Sequence, residues 1–195
     1  ISIENHTRLI QKRGEAEAKN KKKVERYITD EQVDIFQAYT PKWLKAYVDI
    51  KLITGLRQCA MLELTKAMVH DKFLFIPNIG KNGGATRYKW TSELRAAINL
   101  ALEASPPESK FLFTTTKGTA HGESSFKSAW RRAMEKAVKN GLYQPFAERY
   151  IRNKAVTDCD DLETASKIVG HTSTSVTKQH YSMLGTTVNP FTRKA

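Results

Sequence analysis

One break in periodicity constrains this chain more than any other feature. From Tyr27 to Leu64, and again from Thr91 onward, apolar residues recur at helical spacing. Residues 68–90 instead carry short apolar runs separated by turn signals. MVH, FLFI and TRYKW read there as three short antiparallel strands. Asp71-Lys72 makes one turn and Asn82-Gly83-Gly84 a hairpin. The expected class is therefore mainly α with a small three-stranded antiparallel β-sheet (α+β). Lys81 sits at the mouth of the hairpin, and local sequence alone reads it as an exposed turn lysine.

The flanking helices carry their own punctuation. Thr29 followed by Gln32 fits a capping box, with Asp30 and Glu31 in the first turn. A helix through about Ala38 would bury Val33, Ile35 and Phe36. Thr40 and Pro41 start a second helix, whose Trp43, Leu44, Tyr47, Val48 and Leu52 read as core and not as a base-stacking platform. Gly55 then breaks the apolar run, and Arg57 opens a short helix to about Leu64. An arginine among apolar neighbours is costly to bury alone. Arg57 either pairs with an internal carboxylate or faces an anion.

Thr91 or Ser92 caps a helix to about Glu103, which Pro106 and Pro107 end. FLF at 111–113 is a short buried segment. Ser124 or Ser125 starts a long helix to Asn140, with Gly141 in the usual stop position. Phe126, Trp130, Met134, Ala137 and Val138 form its apolar stripe. Lys127, Arg131, Arg132, Lys136 and Lys139 cover much of the rest, as a DNA-backbone contact or as a solvated face. Helical patterns resume at about 147–157, 162–169 and 174–181.

The length of 195 residues fits one large domain with tails. Residues 1–26 are charged and low in apolar content, and they read as a tail or linker. Lys21, Lys22 and Lys23 in it suit either a DNA backbone or a solvated linker. The chain opens on Ile1 without an initiator Met or a signal peptide, so it is read as a fragment or processed product. No apolar run approaches membrane-spanning length. Cys59 and Cys159 are read as free thiols in a reducing compartment. The net charge of +12 points to a polyanionic partner, nucleic acid first. No residue spacing suggests a metal site.

The densest chemistry lies between Arg149 and Tyr181. Arg149 and Arg152 are three apart and share a helix face. Gly170 leaves His171 at a turn, and Tyr181 follows ten residues later. Two guanidiniums, an imidazole and a phenol are what attack on a phosphodiester without a metal requires. His121 and His180 have no motif role. Tyr143 and Tyr150 are alternative nucleophiles on chemistry alone, but neither fits the spacing.

Three separated pieces then line up: TGLR at 54–57, the hairpin Lys81, and RYIR…GH…Y at 149–181. In this order the chain resembles the tyrosine recombinases, the phage-integrase family, over about Tyr27 to Tyr181. The segment RNKAVTD followed by GH and KQHY looks most like integrases of temperate phages and related mobile elements. The resemblance implies a catalytic domain at 27–181 that cuts, exchanges and rejoins DNA strands. It implies Tyr181 as nucleophile, forming a 3′-phosphotyrosine, with Arg57 and Arg152 on the non-bridging oxygens. Lys81 would protonate the leaving 5′-oxygen, and His171 would hydrogen-bond the phosphate. It also implies no cofactor, a double-stranded DNA recombination site, a homo-tetramer on DNA built from a monomeric fragment, accessory DNA-bending proteins, and a bacterial cytoplasmic setting. Residues 1–26 would be the charged linker from a missing N-terminal DNA-binding domain, and residues 182–195 a tail contacting a neighbouring protomer. Rival readings are a topoisomerase-like relaxing enzyme and a non-catalytic DNA-binding module.

The chemistry suits these roles. A free tyrosine has a pKa of about 10, and a cationic cluster favours its phenolate. Arginine stays charged and matches phosphate oxygens with a planar fork. Two positions depart from the family pattern. Arg149 stands where a histidine is usual, and it cannot accept a proton; it would donate to the phosphate or stabilise phenolate. Ala60 stands where an acid is frequent, so Glu63 or another group would orient Arg57.

Overall fold

The computed structural model describes residues 27–77, 85–159, 161, 163, 165 and 166. Lys21, Lys22, Lys23, Lys81, His171 and Tyr181, and the tail 182–195, lie outside these residues.

Helix α1 (Asp30–Ala38) starts where the capping box places it. The Thr29 hydroxyl accepts from the Gln32 backbone N–H at 3.3 Å, and the Gln32 side chain accepts from the Thr29 backbone N–H at 3.0 Å. Helix α2 (Lys42–Thr54) follows Pro41, which occupies the N-cap position. Gly55 ends α2 at φ 58°. Only glycine takes that left-handed conformation without a steric cost, which lets the chain turn sharply into the next segment. Helix α3 (Gln58–Leu62) is one short run with Arg57 as its N-cap.

Strands β1 (Phe73–Ile76) and β2 (Thr86–Lys89) pair antiparallel, with Phe73 opposite Lys89 and Ile76 opposite Thr86. The sheet has two strands among the described residues. The stretch read as a first strand, MVH, is mostly a 3-10 turn at Lys66–Met68 followed by a single bridge between Val69 and Leu74. The reason is local. The Val69 N–H bonds back to Lys66 O at 3.1 Å, and the Lys66 N–H goes to Lys110 O at 2.8 Å, so this backbone is consumed before it can extend the ladder.

Helix α4 (Ser92–Ala104) is capped by the Thr91 hydroxyl, which accepts from the Leu94 N–H at 3.2 Å. Helix α5 (Glu123–Lys139) starts after Gly122, one residue before the expected serines. Gly141, at φ 109°, carries the exit from that helix. Helix α6 (Arg149–Thr157) follows Glu148.

The core joins all of these elements. α2 packs against both α4 and α6, and α1 packs against α5. Phe36, Leu44, Tyr47, Ile50, Leu74, Ile98, Phe113, Phe126 and Ile151 are fully buried or nearly so. Phe36 meets Trp130 at 4.6 Å and Phe146 at 5.3 Å between ring centroids, which locks α1 to α5 and the loop before α6. Ile35, Trp43 and Leu52 are only half-buried, while Ala46, Ile50 and Lys51 fill the inner face of α2. Val138 departs from the expected stripe. It is 43% exposed, because Ala133 and Ala137 complete the inward face with Phe126, Trp130 and Met134. No helix among the described residues is long and apolar enough to cross a membrane.

Candidate functional site

The short segment Thr54–Arg57 and helix α6 meet although they lie almost a hundred residues apart. Arg152 is 5% exposed, and its Nη1 donates to the carbonyl of Gly55. That carbonyl is open to this contact because Gly55 leaves the helix in the left-handed conformation. Arg57, two residues on, is half-buried and takes extended backbone at φ −69°, ψ 153°. Its carbonyl accepts from the Met61 N–H at 3.0 Å and so starts α3. The two arginines of the separated motifs therefore reach the same corner of the fold. The sheet borders this corner. The Tyr88 hydroxyl of β2 donates to Thr54 O at 3.4 Å. Burial pushes its pKa up to about 12, against an opposing pull from Arg152.

Arg149 and Arg152 share a helix but not an environment. Arg152 is turned inward to Gly55, whereas Arg149 is exposed, with its guanidinium 5.2 Å from the ring centroid of Tyr150. Arg149 lines a groove of about 330 Å³ with Gln58, Lys127 and Glu148, floored by Phe126 and Trp130. The groove runs from the residue after Arg57 to the start of α5, with Lys127 and Arg149 in its lining.

The other basic residues of α5 divide into two sets. Lys127 pairs with Glu123 at 2.6 Å and Arg131 with Glu135 at 3.9 Å, all four side chains being exposed. Exposed pairs of this kind contribute little to stability, and their cations stay available to another anion. Arg132 faces elsewhere. It lines a cavity of about 750 Å³ with Lys136, His121, Thr115 and Tyr39. His121 stacks on Trp43 at 4.3 Å between ring centroids, a packing role that no motif announced. Glu63 closes α3 as its C-cap and is exposed.

Sequence reasoning missed a buried ionic network behind Arg152. The carboxylate of Glu148 accepts from both the Tyr47 hydroxyl and the Lys51 ammonium. Burial pushes the Lys51 pKa down, and Glu148 only partly offsets this. Burial, reinforced by the nearby carboxylate, holds the Tyr47 phenol well above its ordinary value. One signal was available: Lys51 lies four residues after Tyr47, on the face that the rest of α2 buries. A lysine there requires an internal anion.

A second lysine ties α6 to the start of the domain. Lys154 Nζ is 2.9 Å from Asp30 and 2.6 Å from Asp158, and it donates to the Tyr27 hydroxyl at 3.3 Å. Burial alone would lower its pKa, but these hydrogen bonds outweigh burial and hold it above the usual lysine value.

Comparison with known proteins bears on the family and the fold. The Phage integrase family model matches residues 19–186. No curated protein matches. Among solved structures the chain is similar to XerA recombinase, with 19% identity, a TM-score of 0.65, and coverage of 82% of this chain and 59% of that one. The Tn1549 transposon integrase in complex with circular intermediate DNA gives 15%, 0.65, 80% and 62% in the same order. A lambda integrase dimer bound to a COC′ core site gives 15%, 0.65, 86% and 63%. These likenesses concern the fold, and the chain spans about three fifths of the length of each. With its helices, small antiparallel sheet and family match over most of its length, this chain belongs to the Phage integrase family, the tyrosine recombinases.

Proposed function

We propose that this chain is the catalytic part of a site-specific DNA recombinase, which cleaves and rejoins DNA strands through a 3′-phosphotyrosine intermediate during integration and excision of a phage or related mobile element. The observation that carries this reading is the docking of buried Arg152 on the carbonyl of Gly55. It brings the two arginine motifs of a phage-integrase chain to one corner, where a single phosphate can meet both.

In this reading Arg57 and Arg152 hold the non-bridging oxygens of the scissile phosphate and neutralise charge as the pentacovalent state forms. Each well-placed donor in such a site lowers the barrier by about 3 kcal/mol. Arg149 stands on the open rim, where it donates to the phosphate or stabilises the attacking phenolate. Tyr181 supplies the nucleophile, Lys81 the proton for the leaving 5′-oxygen, and His171 a further phosphate hydrogen bond. The covalent intermediate conserves the phosphodiester energy, so rejoining requires no ATP. Lys127 and Arg131, with Lys21, Lys22 and Lys23 of the linker, contact the DNA backbone. The structures it resembles include dimers and a tetramer on DNA, which supports assembly of this chain on DNA as an oligomer; action in the bacterial cytoplasm belongs to the same proposal.

A suicide substrate nicked beside the scissile phosphate tests the reading. The nick lets the short product diffuse away, so the covalent adduct accumulates and runs as a shifted band on a denaturing gel. Tyr181→Phe is expected to abolish that band. If no adduct forms, or if Tyr181→Phe still forms it, the proposal fails.

A further inference from the structure

Position 60, one turn past Arg57, is an alanine, and Glu63 lies exposed at the end of α3. A different carboxylate lines the groove beside the arginine corner. Glu148 is the residue immediately before α6, and its side chain is 12% exposed. It is gripped by Tyr47 and Lys51, whose side chains lie one turn apart on α2. The Lys51 side chain is 2% exposed. Arg152 is close enough that its charge opposes that of the Lys51 ammonium, and Cys59 of α3 is within electrostatic reach of both Tyr47 and Lys51. The network thus sits between α2, the start of α3 and α6.

We propose that Glu148, held by Lys51 and Tyr47, is a positioning residue that sets the placement of Arg152 and Arg149 for the scissile phosphate. The inference rests on the recombinase reading above. Its logic is geometric. Arg152 is tied to the end of α2 through the Gly55 carbonyl, and the start of α6 is tied to the middle of α2 through Glu148. These two attachments to one helix act at the arginine-bearing end of α6 and set how Arg149 and Arg152 are presented. The Glu148 link is the one at the N-terminal end of α6, next to Arg149, whereas Ile151 in the core and the Lys154 ion pairs hold the rest of the helix.

Electrostatics argue in the same direction. The charge of buried Arg152 opposes that of buried Lys51, and the Glu148 carboxylate pairs with the lysine. A buried ion pair is a poor device for stability, since apolar residues of similar volume hold a fold as well or better. A directional link between two helices is what the pair provides and apolar residues do not. A displacement of about 1 Å in a reacting group costs up to about a hundredfold in rate.

The double variant Lys51→Met/Glu148→Gln separates positioning from folding. It removes both charges together, preserves volume, and leaves an acceptor for Tyr47. Three quantities are measured: the thermal midpoint, DNA affinity, and single-turnover cleavage of the nicked suicide substrate at saturating protein. The expected result is a cleavage rate constant lower by about tenfold or more, with the final amount of adduct, the midpoint and the affinity close to wild type. A purely structural role predicts the reverse, a lower midpoint and less adduct formed at an unchanged rate constant. That outcome overturns the proposal, as does a variant whose rate and folding both match wild type. Should the double variant not fold, Tyr47→Phe decides. It removes one hydroxyl from the grip and is expected to slow cleavage about threefold with the fold intact; an unchanged rate overturns the inference. If wild-type protein forms no adduct at all, the recombinase reading fails first and this inference falls with it.

Discussion

In the proposed reading Arg152 both docks on the Gly55 carbonyl and meets the scissile phosphate. The Gly55 carbonyl it binds lies two residues before the half-buried Arg57. Arg152→Lys tests the fork as distinct from the charge. Lysine keeps the cation but is a point charge without two parallel donors. Cleavage of the suicide substrate is expected to fall by about a hundredfold or more, while the thermal midpoint moves by a few degrees at most, which calorimetry reads. His121 provides a contrasting prediction about stability alone. Burial and the nearby Arg132 lower its pKa from the ordinary 6.5, and a Thr114 backbone hydrogen bond only partly offsets this. The unfolded chain therefore binds this proton more readily than the folded one. Stability is full above 6.5 and falls as pH drops through the window below it. His121→Phe keeps the stack on Trp43 and removes the proton. The decline in thermal midpoint between about pH 6.5 and pH 5 is expected to be shallower in the variant; parallel curves would reject the assignment.

At the scale of elements, the sequence showed most clearly what is decided locally. The capping box at Thr29 and Gln32, the cap at Thr91 and the helix stop at Gly55 all depend on residues within a few positions, and all three form as expected. Among the described residues the first of the three expected strands, MVH, is reduced to a single bridge for a related reason. Apolar spacing at Met68 and Val69 suits a strand as well as a 3-10 turn, and the choice was made by Lys110, more than forty residues away. Helix α6 shows the same limit. Its pattern was legible, but the partners that hold it were not, because Gly55, Lys51, Asp30 and Tyr27 lie about a hundred residues upstream. The last two form a latch. Lys154, on the same helix as Arg152, fastens α6 to the point where residues 1–26 join the domain. Lys154→Met is expected to cost about 1–2 kcal/mol at neutral pH, less than a fully buried pair would, because Asp30 is largely exposed. The folded pKa of Lys154 is raised above the unfolded 10.5, so its contribution is complete below that value and is lost as pH rises through the folded pKa. Denaturant melts of wild type and Lys154→Met are expected to differ by a constant amount up to about pH 10 and to converge above it.

At the scale of the whole molecule, charge was the most legible property and its layout the least. The net charge of +12 announced a polyanion as partner. It could not say which face of α5 would meet DNA, since five cations are spread around that helix. The structure divides them. Lys127 and Arg131 are one turn apart on an exposed strip, and Lys127 lines the groove with Arg149 and Gln58. Arg132 and Lys136 instead line the cavity beside His121 and Thr115. If the arginine corner holds the scissile phosphate, the duplex runs along the first strip and away from the second. Each phosphate that a protein cation neutralises steepens the fall of log K with log salt by about 0.9. Lys127→Ala and Arg131→Ala are each expected to reduce that slope by about one, measured by fluorescence anisotropy with a labelled duplex at several salt concentrations. Arg132→Ala is expected to leave the slope unchanged. Equal reductions in all three variants would mean that the helix meets DNA by general charge, and that the duplex does not follow the Lys127–Arg131 strip.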